Sequence, residues 1–100
     1  MKNNLALALR NESGSLHAVK SIVAACEDVK GMDIAVLDVR SVSDFADYFV
    51  VVSGRSDRQV QGLTNRVIEE LCRGGSRPLS VEGYEDGQWV LVDCGDIVVH

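Results

Sequence analysis

Beyond residue 15, apolar positions recur every three or four residues. Leu16, Val19, Ile22, Val23 and Cys26 share one stripe, the spacing of an amphipathic helix. Ser15 stands where an N-cap is needed. Gly31 stands where a left-handed residue can end the last turn. The period then changes. DIAVLDV (33–39) and DYFVVVS (47–53) are apolar on both alternations, which predicts strands buried on both faces, central in a sheet. The joint between them is too short for a parallel crossover, so they should be antiparallel neighbours.

Helical spacing returns at Val60, Leu63, Val67 and Leu71, with Ile68 beside the stripe. Ser56 followed by Gln59 is a capping-box start, and Gly74-Gly75 is a stop. Pro78 opens a short strand, 79–82. Gly83 to Gly87 is turn chemistry, so 79–82 and 88–93 should form a hairpin. Gly95-Asp96 makes a second tight turn into IVVH, 97–100. The order is helix, two strands, helix, three strands. It predicts an α+β (mixed α/β) domain over 16–100, with a sheet of about five strands, behind a flexible N-terminal tail at 1–15.

Two helices can hardly cover both faces of such a sheet, so part of it should stay open. In 87–96 one alternation carries Val90, Val92 and Cys94, ordinary core residues; the other carries Trp89, Leu91 and Asp93. That second side is the candidate for the open face. Trp is enriched at interface hot spots, and Asp93 and Asp96, with Glu82 nearby, would rim a Trp89–Leu91 anchor. Two plainer readings stand beside this one: Trp89 as core, and the aspartates as turn-stabilising groups.

Charge narrows the partner. The 100 residues carry a formal net charge of −5, which argues against wrapping nucleic acid and favours a basic protein partner, or none. Three cysteines without CxxC spacing point to a reducing compartment such as the cytoplasm and to no disulfide framework. With two scattered histidines no closed zinc site is expected, and no other cofactor is implied. No apolar run approaches a membrane span, and the N-terminus does not read as a secretory signal.

Gly54-Arg55-Ser56 opens the second helix, where free backbone N–H groups attract anions. A phosphate is one reading, and a capping box with exposed arginines is the other. Paired carboxylates for metal-assisted nucleotidyl transfer are lacking: Asp38 is followed two residues on by Arg40, and Asp93 by Gly95. Catalysis is therefore not expected. His100 reads as a hydrogen-bonded strand end, and Cys26 as a small core residue.

Several motifs together carry a resemblance. Leu37-Asp38-Val39, Ala46-Asp47-Tyr48-Phe49-Val50, Gly54 with Ser56 and Gln59, Val81-Glu82-Gly83, then Trp89, Asp93, Gly95-Asp96 and His100 follow in order. The set resembles the Iojap family, the ribosomal silencing factors RsfS, over about 16–100. The resemblance implies a nucleotidyltransferase-like fold without catalysis. It implies binding to the large ribosomal subunit, on its ribosomal protein fourteen, mainly by protein contact rather than through rRNA. Occupying that face would block joining of the small subunit and repress translation. Cys94 stands where the family usually has an aromatic or aliphatic residue, and the family pattern continues past the histidine. The alternatives are a divergent nucleotidyltransferase-fold nucleotide-binding protein or enzyme, and a homodimer through the same open surface.

Overall fold

The computed structural model describes residues 16–100; Ser15 and the 1–15 tail lie outside them. Helix α1 spans 16–28. Strands β1 (Met32–Asp38) and β2 (Tyr48–Ser53) follow, then α2 (Asp57–Arg73), β3 (Ser80–Glu82), β4 (Leu91–Asp93) and β5 (Ile97–Val99). The sheet order is β1-β2-β5-β4-β3. All pairs are antiparallel except β2 with β5. That one parallel pair needs a long connection, which α2 and the β3–β4 hairpin supply.

Local chemistry explains the ends of the elements. Ser56 caps α2: its side chain accepts the Gln59 N–H at 3.1 Å, and the Gln59 side-chain oxygen accepts the Arg55 N–H at 2.5 Å. The Gln59 amide nitrogen also donates to the Lys30 carbonyl at 3.1 Å, tying the α1–β1 corner to α2. Past the C-cap Gly74, Gly75 takes φ +86° and donates to the Cys72 carbonyl, while Ser76 donates to that of Leu71. This is the double hydrogen bond of a left-handed helix stop.

The end of α1 departs from expectation. The left-handed residue is Lys30, at φ +62°, and not Gly31. Lys30 donates to the Glu27 carbonyl, and Gly31 to that of Cys26. Gly31 is needed for space: a Cβ there would lie 2.6 Å from a Val52 methyl group and 3.0 Å from one of Leu63.

Both helices pack on one face of the sheet. Val19, Ile22 and Cys26 of α1 and Leu63 and Val67 of α2 cluster with Tyr48, Val50, Val90, Val92, Ile97 and Val99. Ile22, Val50, Val67 and Cys26 are fully buried. Each large side chain among them contributes about 1.5–3 kcal/mol of hydrophobic stabilisation. Arg66 bridges the helices, donating to Asp28 at 3.1 Å and to Glu70 at 3.3 Å.

Two strand expectations need correction. β1 is not central. It lies at the sheet edge, and Val36 and Leu37 are 43% and 49% exposed. A sequence apolar on both alternations also arises when one face of a strand meets the core and the other joins an uncovered apolar surface. β2 is interior, yet Phe49 and Val51 on its second face are only half-buried. The expected hairpin forms, but around a longer connection than Gly83–Gly87, with Ser80 opposite Asp93 and Glu82 opposite Leu91. The ladder begins only at Leu91, so Trp89 stands two residues before the strand.

Candidate functional site: the open face of the sheet

Residues opposite one another in a ladder point to the same side. Tyr48, Val50, Val92, Ile97 and Val99 point to the helices. The other side therefore carries a row across all five strands: Leu37, Phe49, Val98, Asp93 and Ser80. A second row holds Ala35 with Val51 and Leu91 with Glu82. His100 lies between these two pairs. Its N–H donates to the Val50 carbonyl at 2.7 Å, and its carbonyl accepts from Val52 at 2.9 Å. Neither helix contributes to this side.

An aromatic run crosses the face at one end. The His100 ring lies 5.3 Å from Phe49, edge to face, and 5.6 Å from Trp89 at a 46° tilt. These are separations at which aromatic rings attract beyond simple burial. Trp89 remains 64% exposed. Its backbone is held from behind. Gly83, at φ +81°, approaches the Trp89 carbonyl so closely that no Cβ fits. The turn after Gly83 is tied to α2, since Gln61 donates to the Tyr84 carbonyl at 2.9 Å, Asn65 to the Tyr84 hydroxyl at 2.9 Å, and Gln88 to Asp57 at 2.7 Å. The indole is thus a rigidly placed, wet apolar surface.

The acidic residues separate into two groups. Glu82 is exposed beside Leu91, close to the aromatic end. Asp93 and Asp96 lie toward the other end of β4. Asp93 is half-buried, and its carboxylate accepts the Gly95 N–H at 2.9 Å. Asp96 is exposed in the turn, and its carbonyl accepts from Asp47 and Tyr48 at 2.6 and 3.2 Å. The structure therefore sets Leu91 opposite Glu82 in the row that His100 joins, with Trp89 against the His100 ring, and leaves Asp96 in the turn beyond the other end of β4. Asp93 combines turn formation with a place in the central row. Phe49, His100, Leu37 and Val98 are members of the face that sequence reasoning did not assign. Their signal was the alternation Phe49/Val51 and Val98/His100, which becomes readable only once the helix side is known.

Burial pushes the Cys94 thiol up to about 11, with the Asp93 charge adding to it. Cys94 is thus a neutral thiol beside the site and not a nucleophile. At Gly54-Arg55-Ser56 the Ser56 hydroxyl already serves the Gln59 N–H, and Asp57 places a carboxylate in the first turn. Arg55 donates to the Met32 sulfur at 3.4 Å.

A family model described as ribosomal silencing factor during starvation, RsfS, matches residues 12–100. The chain belongs to the ribosomal silencing factor family. The RsfS of Bacillus subtilis (strain 168) is 40% identical over 82 residues, covering 82% of this chain and 70% of that protein. A crystal structure of a Chromobacterium violaceum protein superposes with a TM-score of 0.83 at 41% identity, over 85% of this chain and 71% of that one. A more distant relative, the Mus musculus mitochondrial assembly of ribosomal large subunit protein 1, is 26% identical over 91 residues, 87% of this chain and 40% of that protein. Its described residues form a mixed five-stranded sheet with two helices. No helix among its described residues is long and apolar enough to cross a membrane.

Proposed function

We propose that this ribosomal silencing factor acts in the cytoplasm by binding the large ribosomal subunit at its subunit-joining face, so that the small subunit cannot dock and translation falls. The contact is made by the open face of the sheet, against ribosomal protein fourteen of that subunit. The observation that carries the reading is the exposed Trp89 ring, fixed by His100 and Gly83 on a face neither helix covers. Glu82, opposite Leu91 on the same face, and the net charge of −5 suit a Lys- and Arg-bearing surface, where opposite potentials speed encounter and set orientation. The large-subunit wording in the name of the mouse relative supports the same partner. Nothing in this reading requires catalysis or a cofactor.

Co-sedimentation with purified large subunits tests it. Truncating a hot-spot Trp costs upward of about 2 kcal/mol, roughly thirty-fold in affinity. Trp89→Ala should therefore lose most binding while remaining folded, and Glu82→Lys should weaken binding most at low salt. Equal pelleting of the parent and both variants would overturn the choice of face. No pelleting of the parent, or unchanged subunit joining by light scattering, would overturn the ribosomal mechanism.

A further inference from the structure

β3 ends the sheet on the side away from β1, and among the described residues no other strand pairs with its outer edge. Such an edge offers backbone N–H and C=O groups to a further strand. Val81 turns to the helix side with its ladder partner Val92, while Ser80 and Glu82 turn to the open face. Val81 is only half-buried there. Between β3 and α2 runs an open groove of about 730 Å³, walled by Val81, Ile68 and the Tyr84 ring, with Glu85 and Asp86 in its lining. The other polar side chain in it, Asn65, is already engaged with the Tyr84 hydroxyl at 2.9 Å. Gln61 fixes the turn that carries the two carboxylates, donating to the carbonyls of Tyr84 and Glu85 at 2.9 and 3.3 Å. No Lys or Arg lines the groove, and among the described residues Glu82, Glu85 and Asp86 take part in no ion pair.

We propose that the β3 edge receives a short extended segment of a protein partner, paired as a sixth strand, in which apolar side chains alternate with Lys or Arg. Successive side chains of an added strand point to opposite faces. One alternation would enter the groove against Val81 and Ile68, which calls for apolar residues. The other would lie beside Glu82 on the open face, which calls for cations, and a cation at the segment's end would meet Glu85 and Asp86. Opposite charges on neighbouring strands stabilise the pairing and select the partner. A nucleic acid would be repelled by the three carboxylates, and a helix laid in the groove would leave the edge groups of β3 unpaired. β3 is three residues long, so the backbone bonds are few and the alternate side chains carry the specificity. The groove lies on the helix side of the sheet, and the inference does not depend on ribosome binding.

The probe is the acetylated and amidated peptide Lys-Val-Arg-Val-Lys-Val, titrated into the isotope-labelled full chain and followed by amide NMR. Saturable shifts should appear at millimolar concentration or below at Val81, Glu82, Ile68 and Glu85, and the β3 amides should gain protection from hydrogen exchange. Lys-Pro-Arg-Pro-Lys-Pro keeps the charge but cannot pair as a strand, and Glu-Val-Glu-Val-Glu-Val pairs but carries the wrong charge; neither should bind. Glu85→Lys combined with Asp86→Lys, both at exposed turn positions, should weaken the basic peptide by about tenfold or more. Trp89→Ala should bind it like the parent. No saturable shift with the basic peptide, equal binding of the proline or the acidic peptide, undiminished binding to the charge-reversed variant, or shifts confined to the open face around Trp89 would each overturn the assignment.

Discussion

The α-carbon of Gly83 rests against the carbonyl of Trp89, six residues on and across the hairpin mouth, with no room for a methyl group between them. The φ of +81° is itself glycine's territory. Gly83→Ala therefore meets both a strained backbone and a clash with an oxygen that cannot swing away. We expect a loss of about 1–3 kcal/mol in urea unfolding and a changed Trp89 emission spectrum in the folded variant. An unchanged midpoint would show that the hairpin mouth yields without cost.

Trp89 should behave as a solvated indole in the free protein. At 64% exposure its emission should lie near that of a water-exposed tryptophan, and acrylamide should quench it readily. A short-wavelength, quencher-resistant emission from the monomer would contradict the open face. Protection of the indole upon addition of large subunits is the expected result if that face is the contact.

The three cysteines should react in sequence. Cys72 is exposed. Burial raises the Cys26 thiol to about 11, an effect the nearby Arg66 only partly offsets, and raises Cys94 to about 11 as well. Near pH 8 a thiol-specific reagent should modify Cys72 first in the native protein, and all three only after denaturation. The thiolate is the reacting species, so Cys94 should gain reactivity only as the pH approaches 11. Peptide mass mapping gives the order, and labelling of Cys94 as fast as Cys72 would contradict its burial.

Asp38 offers a pH-dependent test at the sheet edge. Its carboxylate accepts from the Arg40 side chain at 2.9 and 2.6 Å and from the Arg40 backbone N–H at 3.0 Å. These bonds hold its pKa at about 2, from the ordinary 3.8. A depressed folded-state value means that the contribution to stability is fully present above about pH 4 and is lost as pH falls through about 2. NMR titration of the parent should place Asp38 near 2, and Arg40→Ala should return it toward 3.8 and move the acid limb of unfolding to higher pH. An unshifted Asp38 in the parent would show the pair to be open in solution.

The legibility of the fold follows the range of the interactions. Both helices, the capping of α2 by Ser56 and Gln59, the Gly74-Gly75 stop and the two turns at the end of the chain depend on partners within about five residues, so spacing and residue type suffice to read them. The pairing of β3 with β4 was legible from the turn residues, but its register, with Glu82 opposite Leu91, was not. The small shift at Lys30 and Gly31 shows where this ends: Val52 and Leu63 decide which residue must be glycine, and both are distant in sequence.

What the sequence by itself determined was the set of elements and the expectation that one sheet face lacks cover, since two helical stripes cannot bury five strands. Only the tertiary structure decided that β1 is an edge, that β2 runs parallel to β5, and that Phe49, His100 and Trp89 meet on the same side while Asp96 stands apart. Those outcomes rest on pairing between segments tens of residues apart. The alternation within each strand divides residues between two faces, but only the neighbouring strand and the packed helices select which face is dry.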